Sequence, residues 1–338
     1  MEVWQLTGGF GIDHLQRLTR PDPTPGTRDV LLEMKAASLN YRDILAVNGG
    51  YAPRAQPPLI PVSDGVGVVV AVGDAVTRVR VGDRVCPMFF QDWIGGEARQ
   101  AKMFTSLGGP VDGTLAQFMC LGEQGVTIVP EHLSDEEAAT LPCAALTAWS
   151  ALATQGEVGP SDTVLVQGTG GVALFALQFA RLMGARVIIT SSRDDKLARA
   201  RQLGADEAIN YRTTPDWDRV VKDLTGGEGC DHVIELGGAD TLARSIRAAR
   251  IGGRISVIGV LSGAKAEVAL PLVVMRNLRL QGVTVGSRDG FEAMGRAIAR
   301  HRLHPVLDRV FPFDDAPSAF RHLAAARHFG KVCIRHHP

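Results

Sequence analysis

The pattern of apolar and polar positions changes near residue 124. Up to about residue 120, short apolar runs at 30–37, 64–73 and 79–85 are separated by glycines, prolines and a Gly-Asp turn. Short strands with such turns are typical of a small β-barrel. A helical turn is predicted to begin at Asn40. Residues 87–113 are predicted to form a long loop, because that stretch is glycine-rich and lacks periodicity.

Beyond residue 124, apolar runs alternate with amphipathic stretches. A capping-box start at Ser134 precedes a helix predicted over 138–152, interrupted at Pro142. The strands predicted after it are 164–166, 186–190, 207–210, 232–235, 254–259, 278–285, 310–313 and 331–335. The helices predicted among them are 171–183, 194–203, 217–224, 240–249, 291–301 and 316–326. This alternation predicts a parallel, doubly wound sheet.

The same change of pattern predicts two domains. The first comprises residues 1–124 and is completed by 287–338, because the last strand is expected to return to it. The second comprises 125–286 and carries the repeated strand–helix units.

Residues 168–173 read Gly-Thr-Gly-Gly-Val-Ala and match the pattern G-x-G-x-x-A. They lie between a predicted buried strand and an amphipathic helix, which is the context that a dinucleotide-binding turn requires. Gly168 permits a tight turn, Gly170 lets the backbone approach a pyrophosphate, and the small Ala173 allows close packing of helix on strand. The helix N-terminus offers unpaired N–H groups to the phosphates. The motif therefore predicts a bound dinucleotide.

The composition of the chain does not identify a function, but it limits the classes of protein to which the chain can belong. The 338 residues carry 36 Lys+Arg and 36 Asp+Glu, so the formal net charge of zero gives no support for a nucleic-acid or membrane surface. No apolar run is long enough to cross a bilayer, and the first residues lack the features of a secretory signal. The five cysteines are scattered without a C-x-x-C pair. We expect reduced thiols in a cytoplasmic protein.

Several short motifs, in this order and spacing, resemble the medium-chain dehydrogenase/reductase superfamily in its zinc-independent, quinone-oxidoreductase-like branch. Besides the glycine turn, they are 36–43 (AASLNYRD), 60–67 (IPVSDGVG), 81–85 (VGDRV), 113–118 (GTLAQF), 142–149 (PCAALTAW), 252–254 (GGR) and 330–332 (GKV). The resemblance covers nearly the whole chain. It implies an α/β protein with a GroES-like β-barrel domain and a doubly wound Rossmann domain, and a nicotinamide cofactor between them.

The resemblance also implies which residues contact the cofactor. They are Thr147, the turn residues Gly168, Thr169, Gly170, Gly171 and Val172, and the two stretches Gly259, Val260, Leu261 and Val285, Gly286, Ser287. The last two stretches are expected to pass the nicotinamide, because ligands bind beyond the carboxyl ends of parallel strands. Arg288 is a candidate for closing the site.

Catalytic zinc is not expected. Zinc-dependent relatives have Cys at the position of Asn40 and a His-Glu pair at Ser63-Asp64, and amide and hydroxyl groups are poor zinc ligands. Cys143 alone stands where a third ligand would be, so it is expected to be a small buried apolar side chain. The stretch 87–113 lacks the four cysteines of a structural zinc lobe.

The predicted cofactor is NADPH rather than NADH. NAD enzymes place an acidic residue at the end of the second strand to bind the ribose hydroxyl. Here that position reads Ser191-Ser192-Arg193, and hydroxyls with a cation suit a 2′-phosphate. Related NADP enzymes use a Ser/Lys pair and a Tyr, which Lys196 and Tyr211 match. Asp194 and Asp195 are read as first-turn helix acids, with Ser192 as a possible N-cap; the alternative is that Arg193 and Lys196 only solvate a helix.

The resemblance implies three catalytic candidates, Asn40, Tyr41 and Asp43, which would meet developing negative charge with hydrogen bonds or a proton. The structural alternative is helix capping for Asn40 and Asp43 and packing for Tyr41. Arg42 could attract an acidic substrate but is expected to be a surface charge. Loops 48–58 and 87–112 are expected to shape the substrate pocket.

Three functions remain open. The first is zinc-independent hydride transfer from NADPH to an activated C=C bond (enone, enal or acrylate-like) or a quinone. The second is an alcohol dehydrogenase acting on C–O, and the third is a non-catalytic NADP(H)-binding protein. The partner is a small-molecule substrate, and a homodimer is expected to form through an edge strand of the Rossmann sheet at 278–285.

Overall fold

The computed structural model describes residues 1–51 and 56–336, so part of the 48–58 loop lies outside the described residues. The chain divides into two compact units. Unit 1 comprises Met1–Leu146 and Val285–Pro338, and unit 2 comprises Thr147–Thr284. This division assigns residues 125–146 to unit 1.

The described strands and helices follow one numbering along the chain. The strands are β1 (Glu2–Leu6), β2 (Leu15–Thr19), β3 (Asp29–Leu39), β4 (Asp64–Val72), β5 (Arg84–Pro87), β6 (Phe118–Gly122), β7 (Val126–Ile128), β8 (Thr163–Gln167), β9 (Arg186–Ser191), β10 (Glu207–Asn210), β11 (Cys230–Glu235), β12 (Ala249–Val257), β13 (Arg279–Gly282), β14 (Leu307–Pro312) and β15 (Lys331–Arg335). The α-helices are α1 (Tyr41–Val47), α2 (Gln100–Met103), α3 (Asp135–Ala139), α4 (Leu146–Trp149), α5 (Gly171–Leu182), α6 (Asp194–Gln202), α7 (Trp217–Leu224), α8 (Leu242–Ala248), α9 (Leu270–Met275), α10 (Arg288–His301) and α11 (Ala316–Ala324).

Unit 1 is built on a mixed sheet in the order β14-β15-β3-β4-β5-β7, with β6 also paired to β3. The long strand β3 is central, and its apolar side chains alternate inward, which is the pattern of a half-buried strand. Antiparallel pairing sets Ser38 opposite Asp64 on β4, and Val332 of β15 opposite Leu39. The end of β3, the start of β4 and the start of β15 therefore meet at one place.

Unit 2 is a six-stranded parallel sheet in the order β10-β9-β8-β11-β12-β13, and it confirms the predicted doubly wound arrangement. Strand order reverses between β8 and β11, and ligands of such sheets bind at that switch point. Apolar residues of β8, β9, β11 and β12 pack with Trp217 and Val221 of α7 to form its core. No described helix has the length and apolarity to traverse a membrane.

Several predicted boundaries were wrong in instructive ways. Residues 79–81 are not a strand, because the ladder begins at Arg84, after the Gly82 turn at φ +96°. The helix predicted over 138–152 begins earlier, at Asp135, and consists of α3, α4 and two π-helical segments, Leu141–Ala145 and Ser150–Thr154; Pro142 lies in the first of these, where the interruption was predicted. The predicted loop 87–113 contains one short helix, α2. The predicted strand 278–285 pairs only over β13.

Candidate active site

The glycine turn lies directly beyond β8, at the switch point of unit 2. Gly168 has φ +79°, and an added Cβ there would meet open space. Gly170 is the N-cap of α5 and provides no side-chain cap to the first turn, so the N–H groups near Thr169, Gly171 and Val172 remain available. This turn can hold a pyrophosphate on backbone donors, and the twelve-residue helix adds its dipole.

The end of β9 forms a second part of this surface. The Tyr211 amide donates to the Ser191 carbonyl at 3.1 Å, so the end of β9 and the residue following β10 are adjacent. Tyr211 is 42% exposed, whereas Lys196 of α6 is buried. Hydroxyl groups and an ammonium are therefore present in the region where a ribose 2′-substituent is expected.

The Arg193 side chain forms an ion pair with Asp195. Its guanidinium binds Asp195 through Nε at 2.9 Å and Nη2 at 2.8 Å, and this pair is exposed. Asp194 accepts a hydrogen bond from the Asn210 amide at 2.8 Å. The prediction of Ser192 as N-cap was wrong, since the helix begins at Asp194 and Arg193 occupies the cap position.

A buried carboxylate that the sequence analysis missed fixes the neighbouring loop. Glu235, the last residue of β11, accepts hydrogen bonds from the Gln167 amide at 2.9 Å and from the backbone N–H groups of Gly237 and Gly238 at 2.9 Å. The Thr241 and Ser245 hydroxyls also donate to it. Gln167 immediately precedes the glycine turn, so this network ties the turn to the loop after β11. An acidic residue ending an apolar strand was the signal available.

The remaining predicted cofactor residues are spread over both units. Thr147 is buried in α4, and Val260 and Leu261 are exposed after β12. Gly259 approaches the backbone of Leu236 so closely that an added Cβ would lie 2.0 Å from its carbonyl oxygen. Val285, Gly286 and Ser287 belong to unit 1; Val285 is buried, and the Ser287 hydroxyl accepts the Gly290 N–H as the N-cap of α10. Arg288 is buried and donates to Gln124 Oε1 at 2.5 Å.

In unit 1, a polar cluster forms where β3, β4 and β15 meet. Lys331 donates from Nζ to the Leu39 carbonyl at 2.7 Å and to Asn40 Oδ1 at 2.5 Å. The Asn40 backbone N–H donates to Asp43 Oδ2 at 2.7 Å, so Asp43 serves the start of α1 as the structural alternative anticipated. The Asn40 Nδ2 group is buried and makes no hydrogen bond of normal geometry in the described part of the chain, although the Asn40 side chain is close enough to Asp64 to help lower the pKa of that carboxyl. Its donor capacity is therefore not fully used.

Asp64 is the second member of this cluster. Its carboxyl accepts the Ser63 hydroxyl at 2.8 Å and the Cys143 backbone N–H at 3.0 Å. Burial raises the pKa of Asp64 from 3.8 to about 6, although the positive charge of Lys331 opposes the rise. Burial, together with the nearby Asp64 charge, also raises the pKa of the Cys143 thiol, so this sulfur is held in its neutral form.

Tyr41 and Arg42 behave differently from each other. Tyr41 is 44% exposed, so its hydroxyl is accessible to a ligand. The expectation that Arg42 is a surface charge was wrong: it is only 7% exposed. Its Nη1 group donates to Asp43 and to the carbonyl oxygens of Leu107 and Gly108. Asn40, Tyr41 and Asp43 are thus adjacent at the start of α1, with Asp43 buried.

These donors do not fit a catalytic zinc. Cys143 is the one thiol among Asn40, Ser63 and Cys143, and a single thiolate would be left with an amide and a hydroxyl, which are poor zinc ligands. The Asn40 oxygen already accepts from the Lys331 ammonium, and a dication there would be repelled. In residues 1–51 and 56–336, no three His, Cys, Asp or Glu side chains are grouped to hold a metal ion.

Together, the parallel sheet and the glycine turn are those of a dinucleotide-binding domain. The alcohol dehydrogenase GroES-like domain matches residues 26–131, and the zinc-binding dehydrogenase domain matches residues 171–300. The chain belongs to the medium-chain dehydrogenase/reductase superfamily, which confirms the predicted α/β fold with GroES-like and Rossmann parts.

Individual relatives cover nearly the whole chain. A zinc-type alcohol dehydrogenase-like protein of Schizosaccharomyces pombe is 41% identical over 91% of this chain and 90% of its own length. The crystal structure of a putative alcohol dehydrogenase from Sinorhizobium meliloti is also 41% identical, with a TM-score of 0.93 over 99% of this chain and 98% of that one.

Two more distant relatives are named for activities other than alcohol dehydrogenase. A quinone oxidoreductase-like protein 2 of Bos taurus is 28% identical over 90% of this chain and 84% of its own length. A crotonyl-CoA carboxylase/reductase, AntE, whose structure was solved in complex with NADP, is 25% identical with a TM-score of 0.88, over 99% of this chain and 94% of that one.

Proposed function

We propose that this oxidoreductase transfers hydride from NADPH to an activated C=C bond (enone, enal or acrylate-like) or to a quinone, without zinc. The observation that carries the proposal is the contact of Lys331 with Asn40. An ammonium and an amide occupy the place where a zinc centre would need thiolate and imidazole ligands. A polarised carbonyl must then be stabilised by hydrogen-bond donors.

The buried amide of Asn40 is a suitable donor. Because the Lys331 ammonium donates to Oδ1, the amide is oriented with Nδ2 as its donor end, near the Asp64 carboxyl. In the proposed site Nδ2 donates to the carbonyl oxygen of the substrate, and the accessible Tyr41 hydroxyl adds a second donor. Asp43 acts by holding the start of α1 rather than by exchanging protons. The bound nicotinamide supplies the hydride, and solvent or Tyr41 supplies the proton.

The proposed cofactor preference rests on the end of β9. Ser191, Ser192 and Tyr211 offer hydroxyls, and Lys196 offers a cation, to the 2′-phosphate of NADPH. Position 191 has no acidic residue for a free ribose hydroxyl. The AntE relative bound to NADP supports the same preference.

A titration of purified protein of known metal content tests this proposal. Nicotinamide fluorescence is followed with NADPH and NADH, and a panel of small enones and quinones is then added. We expect tighter NADPH binding and enone- or quinone-dependent oxidation at substoichiometric zinc. Stoichiometric zinc in active protein, or tighter NADH binding, would contradict it.

Alcohol dehydrogenase activity is the second candidate, because the two 41%-identical relatives are named for it. It predicts alcohol-dependent reduction of the oxidised cofactor, which depends on added metal and is lost with a chelator. Tight NADPH binding without turnover of any alcohol, enone or quinone would instead favour a non-catalytic nucleotide-binding protein.

We further propose a homodimer formed through β13 of unit 2. This strand is at the edge of the sheet and all its residues are exposed. Apolar side chains of the preceding helix α9 are exposed beside it, with Val274 at 69% and Met275 at 76%. A second copy paired edge to edge would cover both the free backbone groups and these side chains. Light scattering should give twice the monomer mass, and Leu280→Lys should give monomers.

The cytoplasm is the proposed location. All five cysteines are free thiols, and Cys86, Cys230 and Cys333 are buried, which fits a reducing compartment. Fractionation of the source cells with an antibody to the chain tests this assignment.

A further inference from the structure

One nitrogen of the Arg42 guanidinium, Nη1, has acceptors for all of its hydrogen atoms. Its Nη1 atom lies 3.0 Å from Asp43 Oδ1, 2.9 Å from the Leu107 carbonyl oxygen and 3.0 Å from that of Gly108. These contacts anchor one end of the guanidinium to the chain. They also leave the side chain with a single carboxylate partner.

The opposite side of the same guanidinium has no acceptor in normal hydrogen-bond geometry. Nε and Nη2 are both buried and neither makes such a bond within residues 1–51 and 56–336, although the guanidinium does interact with the Tyr51 hydroxyl nearby. Leaving a buried charged donor without a hydrogen bond is energetically costly, and native proteins rarely do so. Among the arginines of these residues, Arg42 is the one for which both nitrogens are buried without a hydrogen bond of normal geometry.

Nε and Nη2 are the pair that binds a carboxylate side-on. Their N–H bonds are parallel and spaced to match the two oxygens of a planar carboxylate. A backbone carbonyl or one water molecule would satisfy one of these donors, whereas a carboxylate satisfies both. The geometry therefore fits a planar anion better than a neutral carbonyl.

Aromatic rings cover the guanidinium nearby. The Arg42 Cζ lies 4.2 Å from the centroid of the Tyr51 ring and 5.2 Å from that of Phe89. Such rings stabilise the cation and keep water away from it, which strengthens an ion pair formed at its edge. Flat walls also suit a planar ligand better than a tetrahedral phosphate.

We propose that the Nε–Nη2 edge of Arg42 binds a carboxylate of the substrate, so that the substrate is an unsaturated carbonyl compound carrying a carboxylate. This inference rests on the proposed reductase function and narrows its substrate class. Arg42 lies one residue from Tyr41 and two from Asn40, the proposed carbonyl donors. A substrate with a carbonyl and a carboxylate separated by a short carbon chain would engage both.

Paired substrates test the proposal. The rate of NADPH oxidation is compared for 4-oxopent-2-enoate and its methyl ester, which differ by the charge. We expect kcat/KM to favour the acid by roughly 10- to 100-fold, the range of a charge-assisted pair. In Arg42→Lys, which keeps the charge but loses the two parallel N–H donors, the preference of kcat/KM for the acid over the ester should fall to less than about threefold. Arg80→Lys, on an exposed side chain, is the matched control.

A binding measurement separates this proposal from the reductase itself. The saturated acid levulinate and its methyl ester are titrated calorimetrically into the NADP-loaded protein. Tighter binding of levulinate that is lost in Arg42→Lys supports the carboxylate site even if no enone is reduced, an outcome that would sink only the reductase function. Equal binding of acid and ester by the wild-type protein would overturn the site, and so would equal losses for both in a folded Arg42→Lys. Either result would mean that Arg42 only clamps Leu107 and Gly108; thermal unfolding reports whether the variant is folded.

Discussion

The candidate residues fall into two groups, a unit 2 half and a unit 1 half, which are built in different ways. In unit 2 the residues that would hold the dinucleotide lie at the carboxyl ends of β8, β9, β11 and β12, and backbone groups do much of the work. In unit 1 the polar cluster is made of side chains distant in sequence, and Lys331 meets Asn40 across 291 positions. Ligand binding in the unit 2 half depends on the conformation of the backbone, and the unit 1 half depends on buried, charged side chains.

This difference teaches where each half is vulnerable. A backbone site fails when a Cβ or a wrong dihedral angle is introduced, because its donors cannot be replaced by other side chains. A side-chain cluster fails when one charge loses its counter-charge. The variants below are chosen to break one half while leaving the other intact.

The largest effect is expected for Gly259→Ala. The new Cβ would lie 2.0 Å from the Leu236 carbonyl oxygen, which is backbone and cannot rotate away. The loops after β11 and β12 must then separate, at an expected loss of about 4 kcal/mol in the free energy of unfolding and most of the NADPH affinity. Denaturant unfolding and fluorescence titration measure both. Gly159→Ala, where no atom lies within 4 Å, is the control; equal losses in the two variants would contradict the argument.

The second effect concerns unit 1 and depends on pH. Because the folded-state pKa of Asp64 is raised to about 6 from 3.8, its stabilising contribution is present below about pH 4 and lost as the pH rises through 6. Asp64→Asn removes this dependence. Its amide can still accept from Cys143 and bind Ser63.

We therefore expect the unfolding free energy of Asp64→Asn, relative to wild type, to rise by about 3 kcal/mol between pH 4 and pH 8. Urea unfolding at several pH values measures it. Ser63→Ala, which keeps the carboxyl, should retain the wild-type dependence. Parallel curves for Asp64→Asn and wild type would show that Asp64 titrates normally.

The two halves also differ in how far the sequence predicts them. The turn at 168–173, the parallel sheet and the last strand at 331–335 were predicted correctly, because each follows from local periodicity and glycine spacing. The polar cluster was not, because nothing local to Asn40 indicates that β15 will place an ammonium beside it. A lysine opening an otherwise apolar strand was the one hint.

Arg42 shows the same limit from the other side. A charged residue in a polar-looking helical start is usually exposed, and the prediction followed that rule. Its burial depends on Leu107 and Gly108, more than sixty positions away in a stretch without periodicity. Non-local contacts of irregular loops are invisible to pattern analysis, and here they bury the residue on which the substrate proposal rests.

A smaller effect, on the preference for NADPH over NADH, is expected for a substitution of Lys196 in the unit 2 half. Lys196→Met keeps the length of a buried side chain but removes the cation proposed to bind the 2′-phosphate. We expect NADPH affinity to fall by roughly 10- to 30-fold, the size of one charge-assisted contact, while NADH affinity changes less than threefold. Fluorescence titration with both cofactors measures the ratio. An equal fall for NADH would mean that Lys196 supports α6 rather than the phosphate.

The smallest effect is expected for Arg193→Ala, although Arg193 was a candidate for the same phosphate. Its guanidinium is paired with Asp195 at 2.8 Å, and both side chains are at least half exposed. Exposed pairs of this kind contribute little to stability, and an arginine already bound to a carboxylate gives little to a phosphate unless it leaves its partner. NADPH affinity should therefore change less than about threefold. Asp195→Asn offers the complementary test: if it tightens NADPH binding and Arg193→Ala reverses the gain, Asp195 restrains Arg193 from the cofactor, and the backbone half of the site has a side-chain regulator after all.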